Sequence, residues 1–345
     1  MRHVGKTTVT SESLEKSTRS DSKDREAGEP LLRDPSPTAW VDLALLAVCI
    51  IWGVNFSVIK VALVEIEPLA FNALRFPLAA ATLFVLLRRK GPIPLPHRAH
   101  RTRIVLLGLL GNVVYQFLFI FGIDATLAGN ASLVLATTPV WTLVLSTVLG
   151  QEMHTAAVWV GVLATLGGMV FVVAGGASAL GYSDGLPRGD LLLVAAAVTW
   201  SVYTVGAQDL TRRYGALAVT SWTLWIGSVG LVAAGAPSVV KMDLGTISPT
   251  AWAGVAYAGV LAIAIAYLLW NYGLEHIGST RTAAFSNLVP VVALITAALW
   301  IEETPSTLQL VGAVVIIGGV WLARVARARE RRPSALAAST GVLKA

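Results

Sequence analysis

The sequence predicts an all-α membrane protein with ten transmembrane helices in two inverted five-helix repeats, and three observations carry that prediction. The chain of 345 residues is 55% hydrophobic and only 13% charged, whereas a soluble protein of this size is roughly a quarter charged. Its apolar residues gather into about ten long runs, each near the ~20 residues that cross a ~30 Å hydrocarbon core. The second half of the chain also answers the first. A membrane β-barrel would instead alternate polar and apolar residues over ~10-residue strands.

At an offset of 148 residues, Asp42-Leu43 meets Asp190-Leu191, Trp52 meets Trp200, and Leu69-Ala70 meets Leu217-Ala218. At an offset of 151, Gly122 meets Gly273, Pro139 meets Pro290, and Glu152 meets Glu303. Gly161, Gly167 and Gly168 then meet Gly312, Gly318 and Gly319. Duplicated hydrophobic segments imply two similar halves that rock about a central site.

Hydropathy places the spans at about 40–62, 69–87, 103–123, 128–149, 154–175, 189–209, 216–235, 250–271, 281–301 and 306–325. Breakers fill the gaps at Glu65 to Pro68, Gly91 to Arg101, Gly181 to Pro187 and Gly235 to Pro249. The chain thus divides into a polar tail at 1–38, a first repeat at 39–176, a second at 187–325 and a basic tail at 326–345. The tail at 1–38 and the segment after Arg329 have the composition of disordered chain. With the N-terminus inside, 22 Lys and Arg fall on the inner side, and only Lys60, Arg188 and Lys241 fall outside. This split places both termini in the cytoplasm of an inner (plasma) membrane protein. It also accounts for the net charge of +6 without nucleic acid. The cluster Arg324, Arg327, Arg329, Arg331 and Arg332 stands where it meets anionic headgroups. Five spans per repeat is an odd number, so the second repeat is inverted.

Candidate binding residues are polar or aromatic groups inside the spans. Asn112, Tyr115, Gln116 and Phe119 share one helical face of the third span. Such a stripe points into protein or a wet cavity, because facing lipid would be costly. Tyr267, Trp270 and Asn271 occupy the matching face of the eighth span. Trp52 with Asn55, and Trp200 with Tyr203, lie inside the first and sixth spans and either line a cavity or pack. Pro139 and Pro290 kink the fourth and ninth spans near their centres. Thr137, Thr138, Ser286 and Asn287 stand ready to satisfy the freed carbonyls. Repeated kinks of this kind point to a central binding site, with Asn287 beside it. Gly161 with Gly168, and Gly312 with Gly319, read as close helix packing. Arg75 lies about six residues into the second span, within snorkelling reach of the outer surface, with Glu67 near it in sequence. Lys60, Glu152, Glu302 and Glu303 sit at span ends, as caps or loop contacts.

Several chemistries are disfavoured. No Asp or Glu falls near a span centre, which argues against a proton pump built on a midplane carboxylate. Facilitated exchange, or coupling at the span ends, fits better. His3, His97, His100 and His154 fall in tails or loops and His276 at a span end. There is no HExxH pair and no phosphate-cradling loop, so neither an enzyme nor a metal or cofactor is expected. The lone Cys49 forms no intrachain disulfide, and no signal peptide is expected. The expected partners are a small-molecule substrate and the lipid bilayer, with the chain a monomer or homodimer.

Over about 40–325 the chain resembles the EamA-like family of the drug/metabolite transporter superfamily. The resemblance rests on Trp52-Gly53-Val54-Asn55-Phe56, Leu74-Arg75-Phe76, and Thr138-Pro139-Val140 running to Gly150-Gln151-Glu152 and Gly161. It continues with Tyr272-Gly273-Leu274, Ile277-Gly278, Val289-Pro290-Val291, Glu302-Glu303, and Gly312 through Gly319. Gln151 departs from the family's usual Gly-Glu, while Glu152 is kept. The resemblance implies two inverted five-span repeats and a cavity lined by spans 1, 3, 4, 6, 8 and 9. The function it implies is secondary transport, exporting amino acids or related metabolites by alternating access. A lipid or lipid-linked carrier flippase is the alternative on the same fold.

Overall fold

Apolar runs this long become helices because only a helix satisfies its own backbone inside lipid. The computed structural model describes residues 37–91, 95–149, 155–179 and 188–341, and no strand occurs among them. The helices are α1 (Pro37–Leu63), α2 (Pro68–Arg89), α3 (Arg98–Asp124), α4 (Ala128–Val148) and α5 (Ala156–Ala179). They continue as α6 (Arg188–Tyr214), α7 (Ala216–Lys241), α8 (Pro249–Ile277), α9 (Ser279–Trp300) and α10 (Thr307–Gly341). Among the described residues, nine helices are long and apolar enough to cross a membrane, and Thr307–Ala323 of α10 is a shorter apolar segment. Large apolar side chains such as Leu163, Val170 and Val314 stand exposed on α5 and α10, which suits a lipid-facing surface.

Helix ends differ from the sequence reading in three places. Gly235 and Pro237 do not end α7, which runs on to Lys241. Gly235 instead lets α7 close onto the backbone of α2 at Leu69. α8 continues through Gly273 and stops at Gly278, whose φ of +82° is left-handed and suits glycine. The segment after Arg329 is helical as far as Gly341, in keeping with helix formers such as Glu330, Arg331, Arg332, Ala335, Leu336, Ala337 and Ala338. The tail at 1–36, the loop residues Gln151, Glu152 and His154, and the side chains of the Arg324–Arg332 cluster lie outside the described residues.

Four helices are interrupted, in matched pairs. α4 consists of Ala128–Leu135 and Thr138–Val148. α9 consists of Ser279–Phe285, a 3-10 turn at Ser286–Leu288, and Val289–Trp300. Each second piece carries its proline, Pro139 or Pro290, in its first turn. The carbonyls of the broken turns are taken up by side chains. Thr137 Oγ1 donates to the Val134 oxygen (2.7 Å), Thr138 Oγ1 to Leu135 (2.6 Å) and Ser286 Oγ to Ala283 (2.6 Å). Asn287 makes no such donation among the described residues, and its buried Oδ1 is itself unpartnered. α3 carries a π-helical segment at Leu110–Val114 and α8 one at Tyr257–Ile265. At an offset of 151 both end on equivalent residues, Val114 and Ile265.

Small residues set the closest packing. Gly161 of α5 faces Gly319 of α10, and Gly168 faces Gly312, so these two helices are antiparallel. A Cβ added at Gly312 would lie 2.7 Å from the Gly168 carbonyl oxygen, and one at Gly319 would lie 2.7 Å from that of Gly161. α2 and α7 are antiparallel too: Gly235 lies on Leu69, while Trp225 Nε1 donates to the Ala80 carbonyl (3.2 Å). Substituting Gly168 by Val should lower the detergent melting temperature, since forcing methyl groups into a close seam costs about 1–3 kcal/mol. Gly167→Ala and Gly318→Ala, which meet nothing within 4 Å, should melt like the wild type. Equal melting of all three variants would remove the glycine seam as a packing element.

Candidate functional site

The interruptions of α3, α4, α8 and α9 lie around one central cavity. α1, α3, α4, α6, α8 and α9 all contribute, as the resemblance implied, and α2 adds Arg75. Of the residues singled out from sequence, Trp52, Asn55, Tyr115, Gln116, Phe119, Trp200 and Tyr267 line it.

Its aromatic part is a cluster centred on Trp200. That ring lies 4.9 Å from Tyr115, 4.9 Å from Tyr267 and 5.8 Å from Trp52. Tyr115 stacks on Phe119 at 5.7 Å. Trp52 is held in turn, because its Nε1 donates to the Ala262 carbonyl inside the π segment of α8 (2.9 Å). Edge-to-face and offset contacts of this kind fix ring orientations as well as burying area.

The polar part is a chain of hydrogen bonds across three helices. Arg75 Nε and Nη2 donate to Asn72 Oδ1 (3.0 and 2.7 Å), and Nη2 also donates to Gln116 Oε1 (2.8 Å). Gln116 Nε2 donates to the Tyr267 hydroxyl (2.7 Å). The Phe71 ring lies 4.8 Å from the guanidinium carbon. Arg75 therefore does not snorkel outward, and Glu67 is not its partner. Amide oxygens and ring faces inside the protein replace the water it would otherwise seek. Among the described residues no carboxylate lines the cavity, and Arg75 is its only charged side chain. Asn72 escaped the sequence reading, although its place three residues before Arg75 sets both on one helical face.

Other predicted residues stand outside the lining. Tyr203 stacks on Trp200 at 5.0 Å and accepts from Asn271 Nδ2 (3.1 Å), which also donates to the Tyr267 carbonyl (3.0 Å). Trp270 packs 5.2 Å from Trp52. Asn112 is buried against Gly227 of α7 with neither amide atom partnered. Asn287 is half-buried, and Pro139 borders a separate small pocket between α4, α5, α9 and α10. Outside the lining too, Asp190 at the start of α6 accepts from Thr126 Oγ1 (2.8 Å) and Asn130 Nδ2 (2.6 Å). Asn130 Oδ1 accepts from Gln309 (3.3 Å). Glu303 caps α4 by accepting from the Ala128 and Gly129 amides (3.1 and 3.2 Å), as expected of a span-end carboxylate.

A cavity between duplicated helical halves, with broken helices around it, is an arrangement found in membrane carriers. A family model described as "EamA-like transporter family" matches residues 39–174 and 187–325. The chain belongs to the EamA-like transporter family. This transporter is 32% identical over 282 residues to a "Probable terminal-alkyne amino-acid exporter" of Streptantibioticus cattleyicolor, covering 81% of this chain and 91% of the relative. It is 31% identical over 293 residues to a "Probable amino-acid metabolite efflux pump" of Escherichia coli, covering 81% and 93%. A Bacillus subtilis "Uncharacterized transporter YyaM" is 28% identical over 283 residues, covering 81% and 92%. One crystal structure shares the fold with a TM-score of 0.62 at 21% identity, covering 84% of this chain and 98% of its own. The transporter is a multi-pass membrane protein. Gln116→Ala removes an acceptor from a buried guanidinium and should slow transport by about tenfold or more. Trp270→Ala, which releases Trp52 and Trp200, should also lower transport at unchanged expression. Unchanged rates in both variants, measured in proteoliposomes, would separate this cavity from the transport path.

Proposed function

We propose that the transporter exports amino acids or related small amphipathic metabolites across the inner membrane by alternating access. Its ten spans form two inverted five-helix repeats with both termini in the cytoplasm. The observation that carries the reading is the cavity itself: aromatic, singly charged, and set where four interrupted helices of the two halves meet. The names of the Streptantibioticus and Escherichia relatives, an amino-acid exporter and an amino-acid metabolite efflux pump, support the substrate class. They lend nothing to the lipid-flippase alternative.

Inversion is supported by matched contacts. Each of α5/α10 and α2/α7 pairs a helix with its repeat counterpart, and each pair is antiparallel. A Cβ at Gly108 of α3 would lie 3.0 Å from the Thr223 carbonyl of α7, and one at Gly259 of α8 would lie 2.7 Å from that of Arg75 in α2. Gly108 and Gly259 are repeat equivalents, as are Thr223 and Arg75. The charge rule has support as well, because its basic loops meet at one end. The His97 amide donates to the Tyr214 hydroxyl (3.3 Å), Arg103 lies 3.5 Å from Asp209, and Gln208 accepts from the Ser279 amide (2.8 Å). At the other end Glu65 accepts from Ser248 Oγ (2.7 Å).

The test is counterflow into proteoliposomes with a panel of labelled amino acids, with and without a pH gradient. Trans-acceleration by one class, insensitive to the gradient, is the expected result. Scrambling of labelled lipid with no exchange of any amino acid would replace the export reading with lipid transport.

A further inference from the structure

A guanidinium held out of water is costly unless charge and hydrogen bonding compensate it. Arg75 is 1% exposed, and no carboxylate of a described residue comes within ion-pair distance. Its three hydrogen bonds go to the neutral amide oxygens of Asn72 and Gln116, and its Nη1 makes none with a described residue. Asn55 lines the same cavity, is 6% exposed, and its Oδ1 has no hydrogen-bond partner among the described residues. One cavity thus offers a permanent cation without an anion and an acceptor without a donor. Six aromatic residues stand in the remaining wall among the described residues.

We propose that the cavity takes an α-amino acid with an apolar side chain, its carboxylate on the Arg75 guanidinium and its ammonium on Asn55 Oδ1. Arg75 thereby makes a single carboxylate obligatory. The inference rests on the amino-acid export reading and names the residues that would enforce it. A guanidinium fork matches a carboxylate in shape as well as charge. A bare amine would set two cations together in an apolar enclosure, where like charges repel strongly. A dianion would carry one charge that nothing in the lining matches. Trp52, Tyr115 and Trp200 suit the apolar side chain and add ring faces toward the ammonium.

The experiment uses the purified full-length chain in lipid nanodiscs, with its own tryptophan fluorescence as the signal. The probes are L-phenylalanine, 3-phenylpropanoate and 2-phenylethylamine. In the wild type phenylalanine should bind best, 3-phenylpropanoate next, and the amine at least about tenfold more weakly. Arg75→Gln should weaken both carboxylates by about tenfold to a hundredfold and, by removing the like charge, bind the amine more tightly than the wild type does. Asn55→Leu should weaken phenylalanine alone and bring it toward 3-phenylpropanoate. Melting curves check each variant, and the wild-type ratio of acid to amine decides the matter if Arg75→Gln does not fold. An amine that binds as well as phenylalanine overturns the proposal. So does an Arg75→Gln variant with the wild-type ratio, which would leave Arg75 as a brace for Asn72 and Gln116. No response to any probe overturns it as well. If counterflow of amino acids persists in any of these cases, the export reading stands without this site.

Discussion

Inside a bilayer every backbone amide and carbonyl must be satisfied within the protein, at a cost of several kcal/mol for each one that is not. An unbroken helix meets that demand alone. This chain departs from it where Pro139 and Pro290 interrupt α4 and α9, and where π segments loosen α3 and α8. All four departures lie beside the central cavity, and protein groups fill in around them. Thr137, Thr138 and Ser286 serve the broken turns, while Trp52 takes a carbonyl of the α8 π segment.

The same constraint orders the side chains. Arg75, Asn72, Gln116 and Tyr267 form a single chain of donors and acceptors over α2, α3 and α8. The Gln116 amide links the guanidinium to the tyrosine, with its oxygen toward one and its nitrogen toward the other. Through it the aromatic cluster and the Arg75 charge are held in one arrangement. Polar groups away from the cavity also serve the scaffold: Asp190, Thr126, Asn130 and Gln309 join α4, α6 and α10 near the start of α6.

Much of this was legible because apolar surroundings make each exception conspicuous. The span order, both proline breaks and the Tyr115, Gln116 and Phe119 stripe follow from run length, residue chemistry and helical spacing. Asn112 was placed on that stripe by the spacing of a regular helix, yet it lies inside the Leu110–Val114 π segment, where that spacing fails. No residue type demands a π segment, so this error has no local signal. Arg75 was misplaced for a different reason. Whether a cation near a helix end snorkels or turns inward depends on acceptors from another helix, here Gln116, which a single segment does not reveal. Tyr203, Trp270 and Asn271 share the right faces but form a second layer, and periodicity does not resolve depth.

The glycine seam between α5 and α10 has a consequence for symmetry. Gly161 meets Gly319, and Gly319 is the repeat equivalent of Gly168; Gly168 in turn meets Gly312, the equivalent of Gly161. A half-length chain bearing only the first pair therefore carries both sides of the seam. Two such chains, inserted in opposite directions, would meet across it as a self-complementary dimer. The seam is thus self-complementary between the two halves, whereas Arg75, whose equivalent is Thr223, marks where their sequences part.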